Sequence, residues 1–163
     1  MPIPSKSLFS LKWPAFFGIV FAVSSLSASE HLTAANNFWK IFAQGNIDTL
    51  ETLYAEEVLL KEGSEFLKPS WGLKPGVDRS QDTKVSKVRL MRAYRQMLKA
   101  VGQEKWQQIF GGISEDQVAS KILDNGRVQL TVHTGPGEDY IQFELALNAD
   151  QSQWLVVSEY TDF

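Results

Sequence analysis

The chain of 163 residues contains no cysteine. That excludes disulfides, thiolate metal sites and a cysteine nucleophile. Its two histidines, His31 and His133, are too few for a zinc site built from the usual ligands. Positive charge is also scarce: the net charge is −3. A protein that neutralises phosphates broadly needs the opposite sign, so no nucleic-acid partner is expected. No Gly-x-Ser-x-Gly elbow and no phosphate-cradling glycine loop occurs. No internal repeat, low-complexity segment or second domain is evident. Nothing in the sequence implies a cofactor or a metal.

A long apolar run is lacking as well, but a short one is present. Trp13 to Leu26 is apolar, contains Pro14, and falls short of the roughly 20 residues that span a bilayer. Lys6 and Lys12 precede it, and the small residues Ser27, Ala28 and Ser29 follow. Positive flank, short apolar run and small residues are the pattern of a cleaved export signal. Residues 1–28 are therefore expected to be a signal peptide, with the mature protein beginning near Ser29 or Glu30. No twin arginine precedes the run, which favours the general secretory route, and no cysteine offers a lipid attachment point. The expected location is the periplasm of a Gram-negative bacterium, or otherwise the secreted fraction, with no membrane association after cleavage. Loss of Lys6 and Lys12 leaves 14 basic against 19 acidic residues, a charge of −5. An exported chain without disulfides must draw its stability from its core.

What is abundant is apolar residues at regular spacing. Hydrophobic residues make up 44% and charged residues 21%, within the range of a soluble globular domain. Phe38, Trp39 and Phe42 form one face of a helix over residues 31–43. Gly45 is placed to end it in the left-handed conformation. Asn46 is a natural N-cap for a second helix reaching Tyr54, with Asp48 and Glu51 in the first turns. Ile47, Leu50 and Tyr54 continue the apolar face. Val58 to Glu62 reads as a strand, resumed around Glu65 to Leu67. Residues 68–82 form a loop rich in proline and glycine, from which Trp71 either closes over a pocket or plugs the loop onto the core. The longest helix, Lys84 to Val101, carries Met91, Tyr94, Leu98 and Val101 inward. Arg92, Arg95 and Lys99 form a stripe that is either a solvated face or an anion site. A short helix follows over Gln103 to Phe110, with Trp106, Ile109 and Phe110 inward.

The remainder is strands. Asp124-Asn125-Gly126 joins Val118–Leu123 to Val128–Thr134 as a hairpin. Asp139–Leu147 alternates apolar and polar residues, and Trp154–Thr161 closes the chain. Helices first and an antiparallel meander afterwards predict one α+β domain over residues 30–163, its N-terminal helices packed on a curved antiparallel sheet.

This order, together with Ala43-Gln44-Gly45-Asn46-Ile47-Asp48-Thr49-Leu50, Tyr54-Ala55-Glu56-Glu57-Val58 and Trp154-Leu155-Val156-Val157, resembles the nuclear transport factor two-like superfamily. The resemblance implies a cone-shaped fold with a pocket between sheet and helices. It also implies a homodimer through the outer sheet face, and the polar residues Gln129, Thr131, Gln142 and Glu144 around Tyr140 make the expected state a weak homodimer or a monomer, not an obligate dimer. For the pocket, Trp39, Tyr54, Trp71 and Tyr94 are the candidate ligand-contacting residues, and a small apolar ligand is the expected occupant. The fold hosts both catalysts and non-catalytic domains, so fold alone does not assign function.

Two carboxylates are candidates for acid–base chemistry. Proton-moving enzymes of the superfamily use a desolvated carboxylate, and Glu62 falls at the comparable distance after Tyr54. It shares strand parity with Val58 and Leu60. It is followed by Gly63, where the ketosteroid isomerases usually have proline after an aspartate. Glu159 is the second. A hairpin loop of Asp150-Gln151-Ser152 sets Leu147, Leu145 and Phe143 opposite Leu155, Val157 and Glu159, all toward the helices. Glu159 then needs a core partner: an arginine of the long helix, a tyrosine such as Tyr54, or a tryptophan N–H. His133 falls on the polar face of its strand, away from a pocket. Two classes stay open. One is a non-enzymatic domain that binds a small apolar ligand or a protein partner. The other is a cofactor-independent isomerase, dehydratase or cyclase.

Overall fold

A computed structural model describes residues 28–67, 80–135, 137 and 139–162. Residues 1–27, which make up nearly all of the expected signal peptide, and Trp71 lie outside the described residues. Among the described residues no helix is long and apolar enough to cross a membrane.

Helix α1 runs over Ala28–Gln44 and α2 over Ile47–Glu51. The junction forms as the residues dictate. Gly45 takes φ +68°, and the Asn46 side chain accepts from the Thr49 N–H at 3.1 Å. Helix α2 is shorter than its apolar pattern predicts. The Leu53 carbonyl accepts from the Val156 N–H at 2.8 Å, which draws the chain into strand β1, Tyr54–Leu60, ahead of the Val58 start that the pattern predicts. The strand also ends early. A 3-10 turn, Glu65–Leu67, stands where extended chain was expected. Strand β2, Thr83–Ser86, pairs antiparallel with β1 and leads into α3, Lys87–Val101, and α4, Gln103–Gly111. A second 3-10 turn, Glu115–Gln117, precedes β3, Val118–Ile122, β4, Val128–His133, β5, Tyr140–Leu147, and β6, Trp154–Thr161.

The architecture is α+β: helices packed on an open, curved, six-stranded sheet in the order β2-β1-β6-β5-β4-β3. The sheet is mixed, because β1 runs parallel to β6 while the other pairings are antiparallel. A parallel neighbour requires a long crossover, and residues 61–153 supply it. The Asp124-Asn125-Gly126 hairpin forms, with Gly126 at φ +77° and the Leu123 N–H on the Arg127 carbonyl at 2.8 Å.

The core lies between helices and sheet. It is unusually aromatic: Phe38, Phe42, Tyr54, Phe66, Tyr94, Trp106 and Phe143 are all at most 2% exposed. Phe42 is the hub, with ring centroids of Trp39, Tyr94, Trp106, Phe110 and Phe143 within 5.8 Å. Trp106 also donates to the Phe42 carbonyl at 2.8 Å, tying α4 to the end of α1. Ile109, expected inward, is 44% exposed because α4 buries only the Trp106 and Phe110 side.

Candidate functional site

Glu159 is 1% exposed, on the core face of β6. It reaches that face by a different register from the one the hairpin predicts. The loop holds four residues, 149–152, where three were expected, with the Asn148 N–H on the Gln153 carbonyl at 2.9 Å. Leu147 therefore opposes Trp154, and Leu145 opposes Val156. Trp154 and Val156 point to the core and Leu155 does not, which corrects the expected face at this end. A one-residue slip would turn Glu159 outward. Val157 prevents this. It is an extra residue between the Val156–Leu145 and Ser158–Glu144 pairs, a β-bulge that flips the remaining strand. Beyond it Phe143 opposes Glu159, and Ile141 opposes Thr161. The inward set is Trp154, Val156, Glu159 and Thr161.

Two tyrosines meet the carboxyl. Tyr54, the first residue of β1, donates to Oε2 at 2.7 Å. Tyr94, in the middle of α3, donates at 3.2 Å to Oε2 and 3.3 Å to Oε1. The two hydroxyl oxygens are 3.4 Å apart. Each hydroxyl has one proton, so with both directed at the carboxylate they are neighbours rather than donor and acceptor. Rings enclose the group: Phe66 packs on Tyr94 at 4.6 Å, Phe38 on Tyr54 at 6.0 Å, and Phe143 on Phe38 at 4.8 Å. No arginine or lysine takes part in these hydrogen bonds. Burial pushes the Glu159 carboxyl up to about 7, and the two tyrosine hydrogen bonds oppose that rise. Burial and the adjacent carboxylate hold both tyrosine hydroxyls well above the ordinary phenol range. Two residues further on, Ser64 Oγ lies 2.9 Å from Thr161 Oγ1 and accepts from the Thr161 N–H at 3.3 Å. Among the described residues no buried side-chain nitrogen or oxygen lacks a partner.

Glu62 lies elsewhere. It is exposed, in a turn after β1 has ended, so the parity that pointed it inward does not extend to it. Its N–H donates to Asp82 Oδ1 at 3.0 Å, and Lys61 pairs with Asp82 at 3.0 Å. The Glu62 N–H and then Lys61 hold the Asp82 carboxyl below its ordinary range. His133 is exposed on the outer sheet face, 6.5 Å from Tyr140 between ring centroids. Arg95 of the basic stripe is bound to Asp48 at 3.0 Å and Glu51 at 2.6 Å, tying α3 to α2.

Tyr54 and Tyr94 are thus brought together with Glu159, whereas Trp39 is not among the groups that touch it. Grooves on the surface formed by the described residues include one at the α1–α2 junction beside Arg95 and Lys99. Two more adjoin Trp39, on the side of α1 that faces α4 and β3. Glu159, Tyr54 and Tyr94 line none of these. Among the described residues no cluster of His, Asp and Glu could hold a metal ion. Sequence reasoning missed Ser64, Asp82 and Phe66, small or lone residues around turns that carry no periodic signal.

No protein-family model matches the chain, and no curated protein does. Solved structures match it weakly. The yeast UBP3-associated protein BRE5 is 11% identical with a TM-score of 0.43, over 83% of this chain and 95% of that one. A domain described as a calcium/calmodulin-dependent protein kinase II association domain, from Xanthomonas campestris, is 13% identical with a TM-score of 0.36, over 85% and 88%. AusH from Aspergillus nidulans is 13% identical with a TM-score of 0.39, over 82% of each. Likenesses this distant carry nothing about function, which has to be argued from the residues.

Proposed function

We propose that this chain is an exported, non-catalytic domain of nuclear transport factor two-like type, binding a small apolar ligand or a protein partner at its surface. One observation carries the reading. The core carboxyl is held by Tyr54 and Tyr94 inside a packed aromatic core. A carboxylate with its partners in place is an anchor joining β6, β1 and α3. A general base needs an open path to the atom it deprotonates.

A second reading has one observation in its favour. A carboxyl near 7 beside two phenols is a combination that acid–base enzymes use. It requires the aromatic shell to open.

Native mass spectrometry of the exported protein, wild type and Glu159→Gln, tests the proposal. The expected mass begins near Ser29 or Glu30, on a monomer or a dimer that dissociates on dilution. A co-purified small molecule or protein is expected, equally in both forms. A chain retaining residues 1–26 would contradict export. A dimer persisting at nanomolar concentration would contradict the weak interface. A ligand lost in a folded Glu159→Gln variant would move the function into the core and favour the acid–base reading.

A further inference from the structure

Leu32, Asn36, Trp39, Lys40 and Ala43 recur at helical spacing along one side of α1. They wall two adjoining grooves that share Trp39, Lys40 and Ile113, and so form one trough. From Leu32 to Ala43 this wall is about 16 Å long at 1.5 Å per residue. The half beside α4 has a volume of about 370 Å³ and is floored by Trp39, Ala43, Phe110 and Ile113. That size suits a small molecule.

The polar groups of this half are unequal in availability. The Gln107 amide is committed to the Gln44 carbonyl at 3.2 Å. Lys40 is the one charged side chain in the lining, exposed and without an ion pair among the described residues. Trp39 is 8% exposed, and its indole N–H makes no hydrogen bond among the described residues. Among the described residues no buried side-chain nitrogen lacks a partner, so that N–H opens to the surface, where the trough lies. A lone ammonium and an indole N–H over an apolar floor are both donors. They complement a carboxylate that carries an apolar body. In the other half Glu115 repels an anionic head, so a carboxylate is favoured at Lys40 and Trp39, and the apolar floor beside α4 is left for the body.

Resting on the binding reading above, we infer that this trough takes a free medium-chain fatty carboxylate. Its head lies on Lys40 Nζ and Trp39 Nε1, and its chain lies along Ala43, Phe110 and Ile113. A lysine that merely lays its stem on apolar surface would show no preference for an anionic head.

Calorimetric titration of the full exported chain at pH 8 with octanoate, octanol and octyltrimethylammonium separates these outcomes. Saturable one-to-one octanoate binding is expected, about tenfold or more tighter than octanol, with no ammonium binding. Lys40→Met should weaken octanoate about tenfold and leave octanol unchanged. Lys105→Met, on exposed α4 surface outside the trough, should change neither. Octanol binding as tightly as octanoate, octanoate affinity unchanged in Lys40→Met, or no octanoate binding would each overturn the site. So would an apolar peptide with a free C-terminal carboxylate that binds where octanoate does not. A co-purified molecule that survives Lys40→Met would overturn this site and leave the binding reading standing.

Discussion

An ionised Glu159 is met by hydroxyls, with no cation in its hydrogen-bond set. The two tyrosines are unequal, because the Tyr54 bond is 2.7 Å and the Tyr94 contacts exceed 3 Å. Tyr54→Phe should cost about 2 kcal/mol at pH 8, where a charged acceptor loses its shorter donor. The cost should be smaller for Tyr94→Phe, and smaller for both at pH 5, where the carboxyl is neutral. Urea unfolding at the two pH values measures this. Equal costs at pH 5 and pH 8 would contradict it. Part of this site is legible in the sequence. An acid flanked by apolar residues in a closing strand, with Tyr54 as candidate partner, follows from pattern and from the cost of burying charge. Tyr94 reads as an inward helix residue and a candidate pocket contact but not as a partner of Glu159, since spacing shows the side a ring points to and not where its hydroxyl ends.

Among the elements, the α1–α2 junction shows how local residues set global packing. A Cβ at Gly45 would lie 3.0 Å from Trp106 Cδ1 and 3.0 Å from Gln103 Nε2, on a backbone with φ +68°. Gly45→Ala should therefore lose about 2 kcal/mol from the left-handed backbone and displaced α4 contacts together. A loss under about 0.5 kcal/mol in thermal or urea unfolding, the range of a neutral surface change, would show that α4 tolerates a shift. Gly45, Asn46 and the Asn125-Gly126 hairpin are readable because their signals are local. The last strand is not. Its start depends on how the Asn148–Gln153 turn closes, and its end on the bulge at Val157. Either change alone reverses the inward face, and together they restore it at Glu159. Both faces of Trp154–Val157 are apolar, so no period marks the bulge. Strand β2 is hidden likewise, four residues whose pairing with β1 is non-local.

At the scale of the whole molecule, a cysteine-free chain holds its helices to its sheet through one aromatic core, with an acid inside it. Stability of the entire fold should then report the charge on Glu159. A carboxyl raised from 4.5 to about 7 by folding binds its proton more tightly in the native state. Its favourable contribution is full below pH 4.5 and is lost as pH rises through 7. The loss is on the order of 3 kcal/mol for a shift of that size. Glu159→Gln keeps the volume and removes the titration, so groups common to both proteins cancel in the difference. The most direct measurement is the unfolding free energy of wild type and Glu159→Gln by urea titration from pH 4 to pH 8. A wild-type stability that falls relative to the variant by on the order of 3 kcal/mol across this range is the predicted result. A difference that does not change with pH would mean that the carboxyl reaches solvent in the native protein, and would contradict a sealed anchor at the centre of the fold.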